Sequence, residues 1–447
     1  MAYSMVASFM ALACLAVVFT VKAQMLDRNC FGSENGTLSD TFLASPVDED
    51  AQAVVYGGER AFSVNLVKAL FKKYETEAIE QNIFISPSSI YHTLMLAYFG
   101  AQDETERELA KGLGFENLTK SEVLKTYMFD RAYQAVRERT PGLGYVFKHA
   151  NKLYFEQDLK LNECLRLALA DQIELTDFKN APEAARTKIN SWVEDMTQGN
   201  IKNLVPAGYV DYSTRASLVN AAYFKGQWLS QFKAKNTKYG NFYVKRDKIR
   251  MVKYMRQEGQ FNYYTSEELQ AHVVELPYEG DHVSMVIILP PFLDDGLQET
   301  VKRMTPETMQ GVMAEIKSGF YKVEKLKVQI PKFSISGSLE LTEPLSSLNI
   351  SKLFGGNSNL TGFIDMDATP ADQADTIRLD SAQHKSFIEV NEEGSEAAAA
   401  TALLGFRSAR PLFHTEFKAD HPFLFLIYDK QVDTILFFGV YQHPPTP

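Results

Sequence analysis

An α+β fold in one large domain is what this chain of 447 residues predicts. Three observations lead there. Helix-type periodicity dominates from Arg60 to Met196, β-type apolar runs dominate from Leu218 onward, and no linker divides the two regions. The composition is that of a globular protein, 45% hydrophobic and 23% charged, and the length suffices for a sizeable core. A net charge of −10 gives a field that disfavours nucleic acid.

Taken in order, the first element is a targeting segment. Met5–Val21 is almost wholly apolar, and Val21-Lys22-Ala23 before Gln24 has the small-x-small pattern of a signal-peptidase site. Residues 1–23 are therefore expected to be a signal peptide and the protein to be secreted, with no membrane association. An uncleaved anchor is the alternative, and a run of about 17 residues is at the lower limit for spanning. Cleavage removes Cys14 and Lys22 and takes the net charge from −10 to −11. Residues 24–57 are polar, Asp-rich and aperiodic, and read as a flexible leader, which leaves 58–447 as the folded domain. Cys30 and Cys164 remain, either paired or as free thiols. Sequons at Asn35, Asn117, Asn349 and Asn359 make the mature chain a glycoprotein by expectation.

In the domain, Phe62, Val64, Leu66, Val67, Leu70 and Phe71 lie near one face of a helix. Asn82–Ile90 reads as a short buried strand entering a helix, with Pro87 in the first turn, where its missing N–H is not needed. Helical periodicity continues over 91–112 and 121–139, and Ile189–Met196 is a further helix stopped near Gly199. The β-type runs are Leu218–Phe224, Phe261–Tyr264, Val273–Pro277, Val283–Leu289, Val323–Ile330, Phe387–Val390 and the stretch from Phe413 to Val440.

Between the last two runs lies Glu392, Glu393, Gly394, Ser395, Glu396, Ala397, Ala398, Ala399, Ala400 and Thr401, leading to Arg407, Ser408, Ala409, Arg410 and Pro411. Local propensity favours a short helix, capped by Ser395 and closed by Gly405. An alanine-rich helix has almost no apolar face to bury and is marginal alone. The same small side chains would let the segment slip between packed strands without overlap.

Four blocks and this hinge, in order, resemble the serpins over about residues 58–445. The blocks are Asn82–Ile90, Leu218–Trp228, Val274–Tyr278 and Phe417–Ile427. The resemblance implies an α+β serpin fold with three β-sheets and about nine helices. An exposed reactive-centre loop, about residues 392–411, would insert into a five-stranded central sheet once a protease has cut it. By match to the family, Ser86, Ser89, Asn220 and His384 are the polar cluster under the sheet where strands must part. Trp228 is the tryptophan at the top of the opening, and Glu392 with Lys332 is the pair holding the base of the loop.

As an inserted strand the loop would turn Ser395, Ala397, Ala399 and Thr401 inward, all small and uncharged, and Glu396 outward. This pattern favours a suicide inhibitor of serine proteases over a non-inhibitory serpin-fold carrier. The reactive bond is Arg407–Ser408 by chemistry, because a carboxylate-based trypsin-like pocket pairs with Arg. Counting along the loop gives Ser408–Ala409 instead, which would imply an elastase-like target. The inhibitor supplies no catalytic group and is expected to act as a monomer in an extracellular cascade such as clotting or innate immunity.

Weaker signals remain. Nine basic residues between Lys233 and Arg256 against Asp247 alone could form an exosite for a sulfated polysaccharide or an acidic protease surface, or a solvated face. The 120–139 helix mixes its basic residues with Glu122, Asp130 and Glu138, which argues against heparin activation there. Asp365–Asp375 lacks a full calcium-loop pattern and reads as a solvated loop. No Gly-x-Ser-x-Gly, His-Glu-x-x-His or phosphate-cradling loop is present, and the histidines lack metal-ligand spacing, so neither a metal nor a cofactor is expected.

Overall fold

A computed structural model describes residues 47–445 apart from 141, 357, 370–376 and 395–414. Among the described residues, α1 (Glu49–Thr76) is the first element. It corrects the expected leader boundary at residue 57, since the helix begins eight residues earlier. The Asp48 side chain caps it, accepting from Asp50 N at 2.9 Å and Ala51 N at 3.2 Å. Gly57 and Gly58, poor helix formers, interrupt the pattern between these first turns and Phe62 and hide them in the sequence. Gly58 lets α1 approach its neighbours, because a Cβ there would lie 2.1 Å from Leu113 O.

β1 (Ile83–Ile85) leads into α2 (Pro87–Gly100), capped by Ser86 and buried along its whole length. α3 (Asp103–Gly112) and α4 (Lys120–Arg139) follow, the latter held by a Thr119–Glu122 capping box. α5 (Glu163–Ala168) and α6 (Pro182–Met196) complete the helix-rich half. α7 (Gly296–Arg303), α8 (Pro306–Ser318) and α9 (Thr342–Ser347) lie among the later strands.

The central sheet has five strands in the order β10 (Phe333–Glu340), β11 (Leu379–Val390), β4 (Ala216–Gly226), β2 (Tyr145–Glu156), β3 (Ile173–Thr176). Its middle seam, β11 against β4, is parallel and closed, with Ala382–Ile388 in register with Leu218–Phe224. The flanking pairs, β10–β11 and β2–β4, are antiparallel. One face of the sheet rests on α2; on the other, Val219 and Ala221 pack with Ile189 and Val193 of α6.

A second sheet runs β1, β14 (Thr434–Tyr441), β13 (Phe423–Asp429), β8 (Val283–Leu289), β7 (Ala271–Pro277), β6 (Lys248–Ser266), β9 (Lys322–Pro331), β12 (Thr415–Lys418), with β5 (Lys238–Lys245) also on β6. The resemblance implies three sheets, whereas among the described residues hydrogen bonding joins the strands into two. The reason is β6, which is 19 residues long, pairs with β5 and β9 over most of its length, and reaches β7 with Tyr263–Ser266.

No helix among the described residues is long and apolar enough to cross a membrane. The signal segment, Asn35, most of the leader and the loop from Ser395 to Ala409, with Arg407 and Ser408, lie outside the described residues. Cys164 is disulfide-bonded; the other two cysteines, Cys14 and Cys30, also lie outside them.

Candidate functional site

The seam between β11 and β4 carries two polar devices, one beneath its middle and one at its upper end. Beneath the middle, strand register sets His384 of β11 directly opposite Asn220 of β4. His384 Nδ1 is hydrogen-bonded to Asn220 Oδ1, and His384 Nε2 accepts from Ser86 N at 3.1 Å. These partners require the neutral imidazole with its proton on Nδ1. Burial depresses the His384 pKa to about 3, which agrees with that state. Ser86 Oγ donates to Leu436 O (2.7 Å) and accepts from Ser89 N (3.2 Å). Ser89 Oγ donates to Asn151 Oδ1 at 2.9 Å, and Asn220 Nδ2 reaches that oxygen at 2.7 Å and Thr93 Oγ1 at 2.7 Å. All six residues are buried, and the network joins β11, β4, β2 and α2 across the seam.

The four residues matched from the sequence, Ser86, Ser89, Asn220 and His384, thus lie together. Asn151, Thr93 and Ser386 were not identified from the sequence. Ser386 Oγ donates to Phe84 O at 2.7 Å, and Gly337 beside it has no room for a Cβ, which would lie 2.1 Å from that same carbonyl.

At the upper end β11 runs into the hinge. Trp228 stacks on Tyr278 with centroids 4.6 Å apart and planes 10° from parallel. Its Nε1 donates to Asn391 O at 2.8 Å and its backbone N to Glu393 O at 3.2 Å. Phe232 N donates to Glu392 O at 2.9 Å. Glu392 Oε1 accepts from Thr237 Oγ1 and Oε2 from Lys332 Nζ, each at 2.7 Å. Burial pushes the Glu392 carboxyl up, and the Lys332 and Thr237 hydrogen bonds outweigh it and hold it below the usual range. Gly394 closes the described part of the hinge at φ +88°. A Cβ there would meet Gly226 O at 2.2 Å, so both the backbone angle and the space call for glycine.

The remaining candidates are dispersed. Asn117 and Asn349 are exposed. Asn359 is half-buried and its Nδ2 donates to Asp103 Oδ2 at 2.9 Å, a bond that a glycan would displace. The basic residues of 233–256 do not share one face. Strand alternation sets Lys248 and Arg250 on the side of Val252 and Tyr254, and Lys253 on the other. Lys248 also pairs with Glu80 at 2.9 Å and Arg246 with Asp294 at 3.3 Å. Exposed Tyr239, Ile249 and Met251 interrupt the charge. Among the described residues no group of three or more His, Cys, Asp or Glu side chains could hold a metal ion.

Comparison with known proteins matches residues 58–444 to the family model "Serpin (serine protease inhibitor)". A Drosophila melanogaster protein named serine protease inhibitor 88Ea is 35% identical over 413 residues, 89% of this chain and 92% of its own. The leukocyte elastase inhibitor of Bos taurus is 35% identical over 371 residues, 81% of this chain and 93% of its own. Among solved structures, uncleaved ovalbumin aligns with a TM-score of 0.72 and 27% identity, covering 87% of this chain and all of that one.

Proposed function

The chain belongs to the serpin family, and on that premise we propose that it is a secreted suicide inhibitor of a trypsin-like serine protease, regulating an extracellular cascade such as clotting or innate immunity. The observation that carries this reading is the closed parallel seam with a run of small residues attached to its upper end. A strand turning back from β11 would run antiparallel to β11 and therefore to β4 as well. Insertion would replace one parallel pair by two antiparallel ones. Ser395 to Arg407 supplies thirteen residues for strands of eleven (β4) and twelve (β11), so the chain length fits the seam.

The protease serine attacks the Arg407 carbonyl, the peptide bond to Ser408 breaks, and an acyl-enzyme forms with a free amine on Ser408. Insertion then carries the tethered protease away before water completes hydrolysis. Ser395, Ala397, Ala399 and Thr401 enter the sheet without burying a charge. The inhibitor supplies the substrate sequence and the moving strand, and the protease supplies the chemistry.

Incubation with trypsin followed by denaturing electrophoresis tests this. An SDS-stable complex is expected, with a released C-terminal peptide beginning at Ser408. A peptide beginning at Ala409 moves the bond to Ser408–Ala409 and the target towards an elastase-like protease. Ala399→Pro should turn the inhibitor into a substrate, because proline cannot join a central strand. Clean cleavage of the wild-type chain by trypsin and by elastase, with no complex, would instead support a carrier of serpin fold.

A further inference from the structure

Cys164 is disulfide-bonded, and the chain has three cysteines in all. Removal of residues 1–23 takes away Cys14 and leaves Cys30 as the one partner within the chain. Cys164 stands in the first turn of α5, and Cys30 lies 18 residues before Asp48, the cap of α1. A bond between them would fix the intervening segment at both ends, at the start of α1 and on α5.

α4 lies between those two ends. Its Asp130 accepts from Tyr56 OH of α1 at 2.5 Å. Its Tyr127 OH donates to Gln172 Oε1 at 2.8 Å and its Arg131 pairs with Asp171 at 3.7 Å, both in the turn that follows α5. Asp130 and Arg131 are about 100° apart around the helix, so the contacts to α1 and to the α5 turn occupy different flanks. The side opposite Tyr127 carries Phe129, Ala132 and Val136. Phe129 is 39% exposed and the other two are half-buried, an apolar stripe open to the outside. Beneath α4, Val123, Leu124 and Tyr127 fill the core, so a chain joining α1 to Cys164 passes over the outward side.

Eighteen residues reach about 60 Å when extended, several times the width of a helix of about 10–12 Å. The segment can therefore cross α4 and still lay side chains on it. Leu38, Phe42 and Leu43 stand out there in a polar stretch. Its charges between Cys30 and Asp48 are Glu34 and Asp40 alone, whereas the outward side of α4 carries Lys125.

We propose that Cys30 pairs with Cys164 and that residues 31–46 form a strap across the outward side of α4, with Phe42 and Leu43 over Phe129. Pairing takes two protons and two electrons from the thiols, accepted by a disulfide donor of the secretory compartment that leaves as a dithiol. The strap holds the helix that leads through Gly142 and Gly144 into β2 of the central sheet. This rests on the secretion in the reading above and not on protease inhibition.

The secreted full-length chain provides the test. Its intact mass reports whether residues 1–23 are gone, independently of the bond. Peptide mapping without reduction should find the Cys30 peptide joined to the Cys164 peptide. In Cys30→Ser, amide exchange over residues 125–136 should quicken about fivefold, the scale of uncovering one partly exposed aromatic ring, while α8 stays unchanged. Phe42→Asp keeps the bond and should quicken the same amides, which separates docking from tethering. Two free thiols, a bond to Cys14 or to a second chain, or unchanged exchange in either variant would each overturn the assignment.

Discussion

The seam is fastened twice, and the two fastenings differ in kind. Beneath its middle, Asn220, His384, Ser86, Ser89 and Asn151 form a neutral network with no access to water. At its upper end the Glu392–Lys332 pair is partly wet, with side-chain exposures of 13% and 38%, and sits beside a tightly packed tryptophan and glycine. Breaking a buried network strands donors and acceptors at about 1–3 kcal/mol each, whereas an exposed ion pair contributes under about 1 kcal/mol. A strand inserting from the hinge would meet the weaker fastening first.

The largest effect is expected from Asn220→Ala. It leaves His384 Nδ1–H, Ser89 Oγ and Asn151 Oδ1 short of a partner, which should lower stability by on the order of 3 kcal/mol in denaturant unfolding. Loss of less than 1 kcal/mol would mean that water repairs the network and that the two ends of the seam do not differ as argued.

His384 sharpens the same contrast through pH. Its pKa is near 3 in the folded protein and about 6.5 when unfolded. The stability it contributes is complete above pH 6.5 and is lost as pH falls towards 3, by up to about 1.4 kcal/mol per unit. The stability difference between the wild type and His384→Asn should therefore shrink between pH 7 and pH 4.5. A constant difference over that range would show that the ring is not held neutral.

The same network explains what could and could not be read from the sequence. Val283–Leu289 is buried from end to end and its apolar run gave its limits. In β11 only Phe387–Val390 stood out, because Gln383, His384, Lys385 and Ser386 interrupt the apolar pattern. β2 was missed for a related reason: Lys148, His149, Asn151 and Lys152 fall within one strand. The polar residues that fasten the seam thus erase the local β signal of the strands carrying them. Family blocks located Ser86, Ser89 and Asn220, and match to the family supplied His384 outside them, whereas Asn151 was not matched at all. Thr237, Asn391 and Tyr278, which complete the upper end, become visible only when distant segments are brought together. α7 and α8 were overlooked because they are short and lie among strands, although Thr305, Pro306 and Gly319 bracket α8 with ordinary capping chemistry.

Gly394→Val should give an intermediate effect, confined to the upper end. A β-branched residue at φ +88° costs about 1–3 kcal/mol, and its Cβ would overlap Gly226 O. The hinge must then lift away from Trp228. In a Trp192→Phe background, the Trp228 emission should shift to longer wavelength while the denaturation midpoint moves less than in Asn220→Ala. An unshifted spectrum would show that Gly394 does not seat the hinge against this ring.

The smallest effect on stability is expected from Lys332→Met. Lys332 is more than a third exposed, so its charge is largely screened and the global cost should stay under about 1 kcal/mol. The local effect should be larger than that figure suggests. Glu392 also accepts from Thr237 and passes its backbone carbonyl to Phe232 N, so loosening its carboxylate frees the first residues of the hinge. Amide exchange at Phe232 and Trp228, whose N–H groups donate to Glu392 O and Glu393 O, should quicken in the variant at pH 7. Because the paired carboxyl is held below its ordinary value, the contribution of the pair is present above the unfolded pKa and is lost as pH falls through the folded one. Wild type and variant should therefore converge in exchange rate in acid, once Glu392 is protonated in both. A Lys332→Met protein that lost as much global stability as Asn220→Ala would place a main fastening at the hinge, and the order in which the seam opens would have to be reversed.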